Sequence, residues 1–515
     1  MQVSMSRVLW ALAIALTLSC NAGPSEKFEA AESRQAIGST VAAQFLTLPM
    51  HPRQEDASGE GIIEFENRFI WRAPLENGLP PGISRGPQIE AAQPSPLAAR
   101  AGGGTGTQVL VNASNAPDSY QGETAAATNG TSIVGGSNSI FPGACGTNPC
   151  FVRSYTSGDG GTSYSTASPG GTWNGTTFGI TFDPAIDFDT SGNYFYVFGG
   201  APLSGSFPNS IAVASAGPLG LSWSTPVAVT FNKNRFFDDK YYLAVDRSPS
   251  TFKDRIYVGW DRNQQNNQIL FVSFSSTLGA SWSSPVKVND GTSRFERVIG
   301  AYPAVDQRNG TVFMSWHDYA RDQIFVDSST NGGVSWGTDV AAAITHTGFG
   351  MDIGCNGGRS QSPAHHLKVG PSGTLHLVYA DNVAGGGFDI LYVQSANGGL
   401  TWTAPRRLND DAGAAHQYHP TLAVSAGAAG DKVAVTFYDR RDDPANCLTH
   451  VYSTQSTDGG STFSANVRET TAASNFDGNP NGPGDYSSST PVGTGTIAFH
   501  SQHPAADFDV FAIGF

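Results

Sequence analysis

Ser456–Phe463 reads S-T-D-G-G-S-T-F, and the chain repeats this sentence. It stands again at Ser395–Trp402 (S-A-N-G-G-L-T-W), Ser329–Trp336 (S-T-N-G-G-V-S-W) and Ser157–Tyr164 (S-G-D-G-G-T-S-Y). Ser275–Trp282 and Ala216–Trp223 keep only the closing Gly-x-Ser-Trp. An Asp or Asn side chain can bond backbone N–H groups two residues on and lock a tight turn. The glycine pair supplies the positive φ that such a turn requires. The closing aromatic ring is placed to pack on the neighbouring unit. These rings recur every 54–66 residues or so, a period that, in a chain dense in short strands, predicts a propeller rather than one large sheet.

Outward from each copy, the text from Thr107 is a four-strand unit, each strand short and apolar or alternating. The clearest copy runs Tyr302–Asp306, Thr311–Trp316 and Gln323–Ser328, followed by the repeated turn and an outer strand. Inner strands start near Glu123, Asp183, Lys240, Tyr302, His365, His419 and Tyr486. The last unit (Ser487–Val492, Gly495–His500, Asp507–Phe515) stops after its third strand. Gln108–Asn112 is the expected fourth, so that no sheet edge stays unpaired. The reading is a seven-bladed β-propeller closed by an N-terminal strand, with six blades as the alternative.

Residues 1–20 read as a signal peptide: Arg7, the apolar run Val8–Leu18, then Ser19-Cys20. The Leu-Ser-Cys ending marks Cys20 for lipidation, with ordinary secretory cleavage as the alternative; Thr17 stands where a lipoprotein box prefers Leu. Residues 21–106 are a low-complexity tether with one candidate ordered piece at Ile62–Trp71, and 107–515 form the propeller. Of the five cysteines, Cys145, Cys150, Cys355 and Cys447 remain after Cys20. Export and an even remainder predict disulfides Cys145–Cys150 and Cys355–Cys447, the latter joining neighbouring loops. A net charge of −14 argues against nucleic acid or an anionic membrane surface as partner. Asp enrichment reads as turn chemistry first and as structural calcium second.

The repeated turn resembles the Asp-box, or bacterial neuraminidase repeat, of the sialidase-like β-propellers, and the resemblance covers nearly the whole chain after about Gly106. It implies that the boxes are structural and lie away from the ligand face. It also implies an arginine clamp for a carboxylate, a Tyr nucleophile paired with Glu, and an Asp acid/base. The family's N-terminal Arg-Ile-Pro motif has no counterpart in this sequence, and Arg153, in Phe-Val-Arg-Ser, does not replace it.

A meander puts the box turns on one face and the long crossings on the other, and the long loops point to the crossing face as the ligand face. There the expected chemical residues are Tyr302, His365, His419 and Glu296. The expected substrate-binding residues are Arg297, Arg321, Arg440, Arg262, Arg359, Tyr438 and Tyr486. The histidines at inner-strand starts break the repeat and so carry the most information. The expected function is an exported, monomeric, sialidase-like glycosidase or uronate lyase acting on acidic glycans. The alternatives are a non-catalytic module binding glycan or protein, and an envelope assembly propeller.

Overall fold

The computed structural model describes residues 107–112, 121–139, 150–202, 207–264, 267–291, 296–348, 350–356, 360–361, 364–383, 386–477, 482–503 and 508–515. Residues 1–39 lie wholly outside the described residues. The expected signal peptide, Cys20, the tether with Ile62–Trp71, Cys145 and Arg359 also lie outside them.

Among the described residues the protein is all β, organised as seven four-stranded antiparallel units, here sheets I to VII. Their inner strands are Gln121–Thr128, Ile180–Phe188, Phe237–Val245, Val298–Val305, His365–Val369, Gln417–Gly427 and Ser488–Val492. Sheets III and IV touch through one parallel pair, Tyr241 and Ala301, and so count as one eight-stranded sheet by hydrogen bonding. Each inner strand packs beside that of the next sheet, and that of VII beside that of I. The outer edge of sheet VII is Thr107–Leu110, paired with Asp509–Gly514 in the register Gln108–Ile513 and Leu110–Phe511.

The core lies between sheets rather than inside any one of them. Ile133, Tyr155 and Phe499 join VII to I; Tyr194, Tyr196 and Val134 join I to II; Val258, Trp260 and Ile211 join II to III. A second strand such as Tyr194–Ala201 is therefore buried on both faces along its whole length. That burial accounts for its continuous apolar run, which alternation alone would not produce.

Five of the seven inner strands begin earlier than the pattern suggests, while that of sheet V begins at the expected His365 and that of sheet VII at Ser488, just after the expected Tyr486. In sheet IV the strand starts at Val298, not Tyr302, because a bulge interrupts the register between Ile299 and Tyr302. Equivalent bulges lie between Gly122 and Ala125, Phe182 and Ala185, Asp239 and Tyr242, and Tyr418 and Thr421. Each carries a residue in the left-handed region: Glu123, Asp183, Lys240, Gly300 or His419 (φ +53°, +55°, +43°, +78°, +47°).

The repeated turns follow one design. Asp458 Oδ1 accepts the Thr462 N–H at 2.9 Å, and Ser456 Oγ accepts that of Gly460 at 2.9 Å. Asn331 and Asn397 take the N–H four residues on in the same way, at 3.0 Å each. The bond thus spans four residues, not two. In the worn copy Thr277 Oγ1 replaces the carboxylate, accepting the Ser281 N–H at 2.9 Å. The closing rings pack on the preceding sheet: Trp223 donates to Ser154 Oγ at 2.8 Å, and Phe463 lies 5.1 Å from Tyr392.

Cys355 and Cys447 form the expected disulfide, Cα atoms 5.1 Å apart, between loops of sheets V and VI. Cys150 is also disulfide-bonded. Such bonds suit an oxidising, extracytoplasmic compartment.

Candidate functional site

Four of the bulged inner strands present a side chain other than hydrogen at the same level. Three of these, on adjacent sheets I, II and III, form a charged cluster. Lys240 Nζ lies 3.3 Å from Asp183 Oδ2, 3.7 Å from Glu123 Oε1 and 2.5 Å from Asp485 Oδ2. Asp485 comes from the crossing into sheet VII and is the most exposed member, at 26% of its side chain. Asn138 binds the cluster together, donating to Glu123 and accepting the Asp183 N–H at 2.7 Å. Asp239 accepts the Lys240 N–H at 2.9 Å. Burial favours the uncharged lysine, but Asp183, Asp485, Glu123 and Asp239 outweigh it and hold the ammonium well above its usual range. Burial raises the carboxyls of Asp183 and Asp239 despite the attraction of Lys240; Asp261, buried and beside Asp239, is raised further. One ammonium thus sits beside carboxyls, Asp183 and Asp239, that burial biases toward keeping a proton.

The other half of the same level is imidazole. His365, His366, His419 and His500 are all buried. Burial pushes His365 down to about 4 and His500 to about 3, and His317, behind His365, to about 3. His365 fits against sheet IV because Gly300 has no side chain; a Cβ there would lie 3.2 Å from its ring. Between the halves stand aromatic rings: Tyr242 lies 4.6 Å from Tyr302 and 5.4 Å from Tyr486, and Tyr302 lies 4.9 Å from His366.

The expected residues are distributed as follows. Tyr302, His365, His419 and Tyr486 belong to this axial layer. Tyr438 lies beside it, 5.5 Å from His419 and 5.0 Å from His500, its hydroxyl donating to the Ser501 carbonyl. Glu296 is engaged elsewhere: it accepts from Asn289 Nδ2 at 2.7 Å and pairs with Lys287 at 3.5 Å. It therefore makes no pair with Tyr302. The arginines do not converge. Arg262 makes a fork to Asp238 at 2.6 and 2.9 Å; Arg321 pairs with Asp318 at 3.4 Å; Arg297 donates to the Glu296 carbonyl at 3.1 Å. Arg440 is fully buried and donates to the carbonyls of Ile353, Asn446 and Cys355. It fastens the two loops that the disulfide joins, and its guanidinium has no face left for a ligand.

Lys240, Asp183 and Glu123 were visible in the sequence only as inner-strand starts. The available signal was a charged residue opening a strand that points along the axis, where burial makes charge costly. Among the described residues no group of three or more His, Cys, Asp or Glu side chains is placed to hold a metal ion. Where the carboxylates gather, the ammonium of Lys240 takes the central position.

No family model and no curated protein matches the chain. Several solved structures are similar to it. A Hadza microbial sialidase has TM-score 0.43 and 15% identity over 73% of this chain and 75% of its own. The Penicillium chrysogenum alpha-L-arabinanase has 0.44 and 10% over 80% and 97%. An ulvan lyase has 0.46 and 14% over 79% and 96%. Likeness at this level carries no argument about fold or activity.

Proposed function

We propose that sheets I to VII are the blades of one closed, seven-bladed propeller of the sialidase-like kind, and that it hydrolyses glycans at the crossing end of its axis. The packing of inner strand VII beside inner strand I and the pairing of Thr107–Leu110 with the last strand support the closure. The observation that carries the activity is the cluster of Glu123, Asp183, Asp239 and Asp485 around Lys240. A carboxyl biased toward its protonated form beside an ionised one is the pairing that glycoside hydrolysis uses as acid and base. Asp183 or Asp239 supplies the acid in this reading, and Asp485, which meets solvent, is the carboxylate nearest an arriving sugar.

The substrate is a neutral glycan rather than the acidic sugar that the resemblance implied. A carboxylate on the sugar needs a guanidinium clamp, and Arg262, Arg297, Arg321 and Arg440 are each committed to protein groups. The acid-rich cluster would repel it further. In this reading the chain is an exported monomer held by a lipid on Cys20.

The test is a screen of neutral and acidic polysaccharides for new reducing ends. Turnover on a neutral glycan, reduced about a hundredfold or more in Asp485→Asn at unchanged melting temperature, is expected. A clean screen with folded protein refutes the reading, as does turnover confined to acidic glycans. Products with the absorbance of an unsaturated uronate would replace hydrolysis with elimination. A non-catalytic glycan module is favoured by one observation, that Lys240 is already surrounded by partners; it predicts saturable binding without product.

A further inference from the structure

Beyond the carboxylate layer, toward the box face, the axis opens into a cavity of about 230 Å³. It runs along the second halves of the inner strands to Arg247 and Gln307, and Tyr242, Tyr302, His366 and Tyr486 of the axial layer also line it, while Lys240 and its carboxylates do not. One side is small: Ala125, Ala185 and Ala423 present only methyl groups. The other is built from Tyr242, Tyr302 and His366 on the adjacent sheets III, IV and V, with Lys368 two residues beyond His366.

The charges in this cavity are unbalanced. Its charged lining residues are Asp187, Arg247 and Lys368. Asp187 and Arg247 neutralise each other at 2.7 Å, and Arg247 also donates to the Phe188 carbonyl at 2.7 Å and covers the Phe188 ring. Among the described residues Lys368 has no carboxylate partner; its ammonium lies 5.5 Å from the centre of the Tyr302 ring. Nε2 of His366, a residue 3% exposed, has no hydrogen-bond partner. Nor do the hydroxyls of Tyr242 and Tyr302 among the described residues. A cation, a buried imidazole and two hydroxyls thus line one wall with nothing to donate to. A buried donor is ordinarily satisfied, and His366 Nε2, buried and unpartnered on the wall that also carries the Lys368 ammonium and the two hydroxyls, marks the void as a ligand site.

We propose that this cavity binds a small organic monocarboxylate, with Lys368, His366, Tyr302 and Tyr242 around the carboxylate and the alanine wall around its carbon body. A single ammonium neutralises a single negative charge. A dianion such as phosphate would leave a charge uncompensated inside the protein, which is costly. The neutral imidazole can turn a donating N–H to an anion, and phenol O–H groups donate to carboxylate oxygens. This site does not depend on the hydrolase reading, since it shares no residue with the Lys240 cluster.

Isothermal titration of the full chain with acetate, butyrate and D-glucuronate, at ionic strength matched with sodium chloride, tests it, with inorganic phosphate as the dianion. Saturable one-site binding of at least one carboxylate is expected, weakened about tenfold or more in Lys368→Met and also weakened in Tyr302→Phe. Lys368 is partly exposed and makes no ion pair among the described residues, so Lys368→Met should fold; if it does not, Tyr302→Phe decides alone. Binding should persist in Asp485→Asn, which separates this site from the crossing end. Absence of binding to wild type, equal binding by the variants, or phosphate binding tighter than every carboxylate would overturn the proposal.

Discussion

Arg440 and His500 show how differently a residue reads alone and in place. Alone, Arg440 is a cation on a ligand face. In place it is a buried bracket for three carbonyls, and removing it would leave them without donors. His500 is buried with Nε2 bonded to Thr436 Oγ1 at 2.9 Å, and burial takes its pKa from 6.5 to about 3. The unfolded chain therefore binds a proton below pH 6.5 that the folded chain refuses until about pH 3. Stability should fall with pH across that window and level off beneath it. His500→Gln removes the titration and can keep a bond to Thr436. Wild type should lose about 1.4 kcal/mol per pH unit relative to this variant as pH drops below 6.5. Urea midpoints of both proteins between pH 7.5 and 5 measure the difference; parallel curves would contradict it. Comparing the pair cancels Asp327 and Asp339, which burial raises to about 6 and about 7 and which act in the opposite direction.

At the scale of elements, two local devices recur: the box turn and the inner-strand bulge. The first is written in the sequence because one side chain and two glycines suffice to close it. Gly460 sits at φ +83°, and a Cβ there would lie 2.0 Å from the Tyr392 hydroxyl of the preceding sheet. Gly460→Ala should therefore cost about 1–3 kcal/mol, from backbone strain and displacement of that ring. Gly158→Ala, in the same region of another copy with nothing within 4 Å and no positive φ, should change little. Thermal unfolding of the two variants checks this, and equal losses would show that the turn conformation is not the cause. The bulge was not legible. It places Glu123, Asp183 and Lys240 in a left-handed conformation that the sequence does not announce, since four of its five carriers are not glycine. Tertiary contacts around the axis hold that strain, and with it the charged cluster.

At the scale of the molecule, Thr107–Leu110 and the last strand, Asp509–Gly514, meet in sheet VII. Deleting residues 1–112 should expose the Asp509–Gly514 edge, with aggregation on size-exclusion chromatography and a lowered unfolding temperature. Deleting 1–106 leaves Thr107–Leu110 in place and should change neither. Identical behaviour of the two truncations would show that the N-terminal strand does not stabilise sheet VII. The axis itself carries acids and a lysine on one side, imidazoles on the other, and a separate cavity below. No single sheet contains any of these.

The sequence alone determined the box turns, the four-strand units, the pairing of the two ends and the Cys355–Cys447 bond. Each follows from residues close in sequence, or from a repeat whose copies occupy equivalent places. Only the tertiary structure decided that Glu296 and Arg440 are internal fasteners, that Lys240 rather than an arginine is the central cation of the axial layer, and that Lys368 faces a void. Those outcomes depend on which side chains seven separate inner strands bring to one level. Burial there sets charge and proton affinity through neighbours hundreds of residues apart, as Lys240 and Asp485 are.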